Sequence, residues 1–174
     1  KRLIPNKPGH EEIKTRKMKI AQGAFVYQPE PGIYENIAVF DFKSLYPSII
    51  SAQNISPEIK NCECCRDEAK KVPLENAKIW FCKKTKGFLS EMIEEIIKRR
   101  GMVKKMFVNE KTPKIKKLLD ARQYALKILA NAFYGYLGFD MARWYCFDCL
   151  RSVTAYGRFY IKKVIDEAQQ KGFK

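Results

Sequence analysis

The 174 residues suffice for one domain with a substantial core. Lysine and arginine total 34 against 19 acidic residues, and the net charge of +15 points to a polyanion, nucleic acid or an anionic membrane surface, or else to a lysine-rich, heat-adapted exterior. No run of about 18 apolar residues exists to cross a membrane, and the opening "KRLIPNKPGHEEIK" lacks the apolar core of a secretion signal.

Residues 1–22 read as linker. "GAFVY", Gly23 to Tyr27, predicts a strand, and "QPEPG" after it a turn, because two prolines and a glycine punctuate it. Ile37 to Phe42 is almost continuously apolar and predicts a second strand, central in a sheet. Ser44 is placed to cap a helix reaching about Asn54, with Pro47 in its first turn. Pro57 to Lys86 is irregular, charged and rich in cysteine, a surface excursion. Leu89, Met92, Ile93, Ile96, Val103 and Met106 then repeat at helical spacing. After "NEKT", Thr112-Pro113 opens another helix whose apolar stripe is Ile115, Leu118, Leu119, Leu126, Leu129 and Phe133. The two form an antiparallel hairpin. A last helix covers about Phe147 to Lys171, with Leu150, Val153, Tyr156, Tyr160, Ile161, Val164 and Ala168 inward. The pattern as a whole is α+β: an antiparallel sheet with packed helices and a projecting helical hairpin.

Three constellations carry chemistry. Asp41 ends the second strand just before a helix, where an acid either caps the helix or holds a hard cation, with the Phe42 carbonyl as a second oxygen ligand. Tyr46 lies near that site or in the core. Lys127, Asn131 and Tyr134 recur at i, i+4 and i+7, so one helix stripe offers a cation, an amide and a ring, suited to a phosphate and a stacked base unless it is an ordinary solvated face. Arg100 and Lys104, one turn apart on the partner helix, can converge with Lys127 on one polyanion or belong to a basic surface. Six cysteines fall into Cys62, Cys64, Cys65, Cys82 and Cys146, Cys149. The C-x-C-C spacing is poor for a zinc knuckle, only one C-x-x-C pair exists, and no histidine is near. Structural pairing is therefore favoured over zinc.

Two stretches resemble a known family. "DFKSLYPSII", within 39–50, is similar to motif A of family B DNA polymerases, and "KILANAFYGYLGF", 127–139, to their motif B. "KRLIPNKP" and "ARWYCFDCLRSVTAYGR" resemble the archaeal replicative members. The resemblance covers nearly the whole chain. It implies a linker from the exonuclease region (1–22), a first part of the palm (23–87, with a cysteine-bearing insertion at 57–86), a fingers hairpin (88–138) and a second part of the palm (139–174).

By that resemblance Asp41 and the Phe42 carbonyl bind metal, and Asp41 and Lys127 are catalytic. Tyr46 is the steric gate that excludes a ribose 2′-hydroxyl. Phe42, Ser44, Leu45, Tyr46, Arg100, Lys104, Lys127 and Asn131 hold the incoming dNTP, and Tyr134 and Gly135 meet the nascent base pair or template. Two Mg2+ ions about 3.5–4 Å apart, with Mn2+ as a substitute, would drive nucleotidyl transfer to a primer 3′-hydroxyl. Cys146 with Cys149, and Cys82 with Cys64 or Cys65, correspond to disulfides of hyperthermophilic relatives. The partners implied are primer–template DNA, dNTPs, the exonuclease, remaining palm and thumb domains, and a sliding clamp. The location implied is the archaeal cytoplasm, at the nucleoid.

This sequence departs from the pattern at Ala132, where motif B has serine, and at Ala21, where the family's Y-x-G-G/A has tyrosine. Motif C, Y-x-D-T-D, is expected just past Lys174, and without its carboxylate the segment is expected to be inactive. The rival readings are a non-catalytic basic nucleic-acid-binding module and an inactive polymerase relative.

Overall fold

The computed structural model describes residues 4–75 and 78–173; residues 1–3 of the expected linker, 76–77 of the insertion and 174 lie outside it. Its helices are α1 (His10–Lys17), α2 (Leu45–Ala52), α3 (Phe88–Asn109), α4 (Pro113–Gly138) and α5 (Phe147–Gln170). The last three match the helices expected from apolar periodicity. α1 arises within the stretch read as linker. It is docked by Arg16, which donates to the Asp140 and Ala142 carbonyls at 2.8 and 2.9 Å and lies over the Tyr145 ring.

The expected α+β class is not what forms. Among the described residues there is no sheet, only an isolated antiparallel bridge between Lys60 and Phe81. Gly23 to Tyr27 and Ile37 to Phe42 are not strands, and Val39 and Phe40 are 88% and 90% exposed. A strand exists only through hydrogen bonds to a neighbour. No described segment supplies that neighbour, so an apolar run with β propensity stays unpaired.

The core lies instead where α2 is surrounded by α3, α4 and α5. Ile50, Ile55, Ile93, Leu137 and Val153 are all but inaccessible there. Burying each such side chain contributes roughly 1.5–3 kcal/mol. α2 ends inside this core, so its last carbonyls need partners. Ser90 on α3 donates its hydroxyl to the Ile50 and Ile55 carbonyls at 2.9 and 3.3 Å. The first amides of α3 are met in return from the segment after α2. Gly87 N–H donates to Asn54 Oδ1 at 2.9 Å, Phe88 N–H to Glu58, and Leu89 N–H to Ser56 Oγ at 3.1 Å. Gly87 is required at this junction, because a Cβ there would collide with Ser56 and come within 2.8 Å of Ile59 Cδ1.

The long helices bury narrower stripes than expected. On α3, Leu89, Ile93, Ile96 and Val103 are buried but Met106 is exposed. On α4 the inward line runs through Leu119, Ala130 and Leu137, leaving Ile115, Leu118 and Leu129 to solvent. On α5 the buried stretch is Ser152–Gly157, and Val164 is exposed. Thr112 and Ser44 occupy N-cap positions, yet neither side chain caps; Ser44 is left-handed at φ 52°. The excursion at 57–86 is irregular, as expected, but it buries Ile59, Cys65, Ala69, Val72, Ile79, Phe81 and Cys82.

An ion pair fastens this excursion to α5. Lys60 Nζ lies 2.6 Å from Asp148 Oδ2, and Arg151 lies 2.8 Å from Oδ1. Burial opposes ionisation of Asp148, but its bonds to Lys60 and Arg151 outweigh this and hold its pKa below the ordinary 3.8. A depressed folded-state value stabilises above the unfolded pKa and is lost as pH falls through the folded one. Asp148→Asn is therefore expected to lower the melting temperature at neutral pH. The gap from the unsubstituted protein should close as pH falls below 3.8 in thermal melts.

Candidate active site

Four of the residues singled out in the sequence, Ser44, Tyr46, Arg100 and Tyr134, meet around the N-terminal end of α2. Ser90 lies beside Ile50 and Arg100 beside Ser44, so α2 runs antiparallel to α3 and its first turn faces the middle of that helix. Arg100 donates from Nη1 to Ser44 Oγ at 3.0 Å, while its buried Nε has no hydrogen-bond partner. An unmet buried guanidinium N–H carries a desolvation cost of about 1–3 kcal/mol, which an anion at that point would relieve.

Tyr46, in the first turn of α2, packs against Tyr134 of α4 with ring centroids 4.5 Å apart and planes tilted by 41°. Burial, and secondarily Tyr46, raises the Tyr134 pKa, with Arg158 opposing, so the phenol stays neutral at physiological pH. Two further residues shape this corner. Gly157 of α5 faces Tyr46, and a Cβ there would lie 3.5 Å from Tyr46 Cε1 and 3.8 Å from Ile49 Cδ1. Arg158 donates to the Gln22 and Gly23 carbonyls at 3.1 and 2.7 Å, fastening the "AQGA" segment, Ala21 included, to α5. The sequence did carry a signal for Gly157, an isolated glycine inside a helical pattern, which costs stability unless a close approach needs it.

The other candidates are present but not gathered. Lys127, Asn131 and Tyr134 share one face of the unbroken helix α4, as their spacing predicts. Lys104, Lys127 and Asn131 are solvent-exposed, and their side chains make no hydrogen bond or ion pair among the described residues. Gly135 has open space around its Cα. Asp41 is exposed in the irregular stretch before α2, with Phe42 beside it, and Leu45 is half-buried at the first helical position. The only described group of three or more potential metal-ligating side chains is the cysteine cluster at 62–82. Asp41 and the Phe42 carbonyl are hard oxygen donors of the type Mg2+ prefers, but they do not make a cation site by themselves. Cys146 and Cys149 bring their sulfurs to 2.6 Å at the start of α5.

The family model for DNA polymerase family B matches residues 2–174. The chain belongs to DNA polymerase family B. It is 45% identical over 174 residues to DNA polymerase 1 of Pyrococcus abyssi and 47% identical over 173 residues to the DNA polymerase of Thermococcus gorgonarius. Each match takes in 99% of this chain but only 22% of the relative. The solved family B DNA polymerase from the hyperthermophilic archaeon Pyrobaculum calidifontis superposes with a TM-score of 0.71 at 33% identity, over 96% of this chain and 21% of that one. The family B chain thus spans about a fifth of the length of these two archaeal relatives. No helix among its described residues is long and apolar enough to cross a membrane.

The corner at Gly157 has little spare room. Gly157→Ala is expected to be accommodated, because its Cβ makes ordinary contacts and alanine favours the helix by up to about 1 kcal/mol. Gly157→Leu is expected to push Tyr46 off Tyr134, lowering the melting temperature and changing the near-ultraviolet circular dichroism of the tyrosines.

Proposed function

We propose that this chain is the palm-and-fingers segment of a DNA-directed DNA polymerase. The observation that carries the reading is the meeting of Ser44, Tyr46, Arg100 and Tyr134 at the first turn of α2. An incoming dNTP would lie across this corner. Its phosphates face the first amides of α2, which have no partner within the helix, together with the Arg100 guanidinium and the exposed Lys104, Lys127 and Asn131. Arg100 has a donor to spare at Nε. Its fork suits phosphate oxygens, and the lysines add point charges. The net charge of +15 favours a primer–template duplex as the second ligand.

Tyr46 is held by Tyr134 on one side and Gly157 on the other. A ring fixed in this way can stand beneath the sugar of a bound nucleotide and leave no room for a 2′-hydroxyl. Tyr134 and Gly135, one turn along from Asn131, are the surface for the nascent base pair. Asp41 and the Phe42 carbonyl would hold a divalent cation together with carboxylates beyond the described residues. Mg2+ there would lower the pKa of the primer 3′-hydroxyl and neutralise the leaving pyrophosphate. The protein's own part is positioning and charge neutralisation, which phosphoryl transfer chiefly requires. Residues 88–138 act as fingers, 23–87 and 139–174 as two parts of a palm, and 1–22 as the approach from an exonuclease domain. The site is completed by the other polymerase domains, with a sliding clamp as a further partner.

Two substitutions in the full-length enzyme test this. Tyr46→Ala is expected to raise ribonucleotide incorporation by at least tenfold relative to dNTPs in single-nucleotide extension; unchanged sugar discrimination would remove Tyr46 from the gate. Asp41→Ala is expected to abolish extension while leaving duplex affinity within a few-fold in a salt titration. Extension that survives the change would contradict the metal role. Salt-dependent DNA binding without any dNTP-dependent closure would indicate a nucleic-acid-binding module instead.

A further inference from the structure

The cysteine-bearing excursion holds a constellation that nucleotide chemistry does not use. Cys62, Cys64, Cys65 and Cys82 bring all four sulfurs within 4.8 Å of one another. Three of them form a nearly equilateral triangle: Cys64 to Cys82 is 3.6 Å, Cys64 to Cys65 3.7 Å, and Cys65 to Cys82 3.8 Å. A zinc–thiolate bond of about 2.3 Å places the sulfurs of a regular tetrahedron about 3.8 Å apart. The triangle therefore has the dimensions of one face of a tetrathiolate site, with Cys62 closing the fourth corner. A disulfide would single out one pair and leave the other sulfurs farther off. Here Cys82 is equally near two candidate partners.

The surroundings suit bound thiolates. Lys83 N–H points to Cys65 Sγ at 3.5 Å. Amides directed at sulfur partly offset the negative charge that four thiolates leave on one dication. Cys65 and Cys82 are buried, Cys62 is half-buried and Cys64 is exposed at the rim, which leaves a path for an ion. Trp80 donates its indole N–H to the Cys62 carbonyl at 3.0 Å, fixing the turn that carries the first ligand. Apart from the Lys60–Phe81 bridge, little regular structure holds this excursion, the situation in which a structural metal contributes most.

We propose that Cys62, Cys64, Cys65 and Cys82 bind one structural zinc ion. Binding replaces the thiol protons, which leave to solvent, and forms four Zn–S bonds with no change of oxidation state. The ion ties the 62–65 turn to the segment at Cys82 and so braces the junction where Asn54 holds the Cys82 and Thr85 carbonyls at 2.8 Å.

The test is elemental analysis by mass spectrometry of the protein purified without chelator, with thiol alkylation under denaturing conditions before any reduction. One zinc per chain is expected, and after chelation Cys62, Cys64, Cys65 and Cys82 should all alkylate. Cys62→Ser and Cys82→Ser should each cut bound zinc at least tenfold. Because a serine variant can misfold, the metal-free unsubstituted protein is also titrated with Co2+. A tetrahedral thiolate spectrum saturating at one equivalent supports the site. Metal-free protein with Cys82 already in a disulfide would overturn the proposal. So would free thiols that take up no cobalt, or zinc that persists in both serine variants.

Discussion

Ser90 meets the Ile50 and Ile55 carbonyls at the centre of the molecule, and much of what positions the candidate site follows from that contact. α2 is short and apolar, and its C-terminal end is driven into the core by Ile49 and Ile50. Carbonyls buried in this way must be satisfied, and one hydroxyl on α3 serves that of Ile50 and that of Ile55 just past the helix. Asn54, Ser56 and Glu58 then satisfy the first amides of α3. Each helix end is thus completed by the other element. The exchange sets α2 antiparallel to α3 and carries its open N-terminal turn to Arg100.

That turn is built differently from the one Ser44 suggests. A serine before a helix ordinarily caps it by accepting a backbone amide. Here Ser44 is left-handed, and its hydroxyl accepts from Arg100 instead. The early amides of α2 therefore stay uncapped by side chains, and a guanidinium is fixed beside them. Tyr46 projects from the same turn into a slot between Tyr134 and Gly157. Three helices, α3, α4 and α5, thus converge on Ser44 and Tyr46 at the start of α2, while the basic stripe of α4 remains open to solvent.

The cysteines separate what spacing can say from what folding adds. The C-x-C-C run alone is a poor zinc signature, and with one C-x-x-C pair and no histidine near, spacing favours pairing. The Lys60–Phe81 bridge supplies what the spacing lacks, because it folds Cys82 back over the 62–65 turn. The strands show the converse. Ile37 to Phe42 has the composition of a central strand, yet a β ladder belongs to two segments, and the described residues contain no second one.

Motif and helical period were legible from the amino-acid order. The long helices, the Pro113 start of α4, the shared face of Lys127, Asn131 and Tyr134, and the polymerase motifs around Asp41 and Asn131 could all be read, because each depends on neighbours within a turn or two. Other features could not. That Ile115, Leu118 and Leu129 face water, that Arg100 reaches Ser44, that Gly157 and Arg158 frame the tyrosine corner, and that four sulfurs share one point were decided by tertiary packing. Each of these depends on which surface of one element meets another, and pairwise contacts between distant segments leave no period in the chain that makes them.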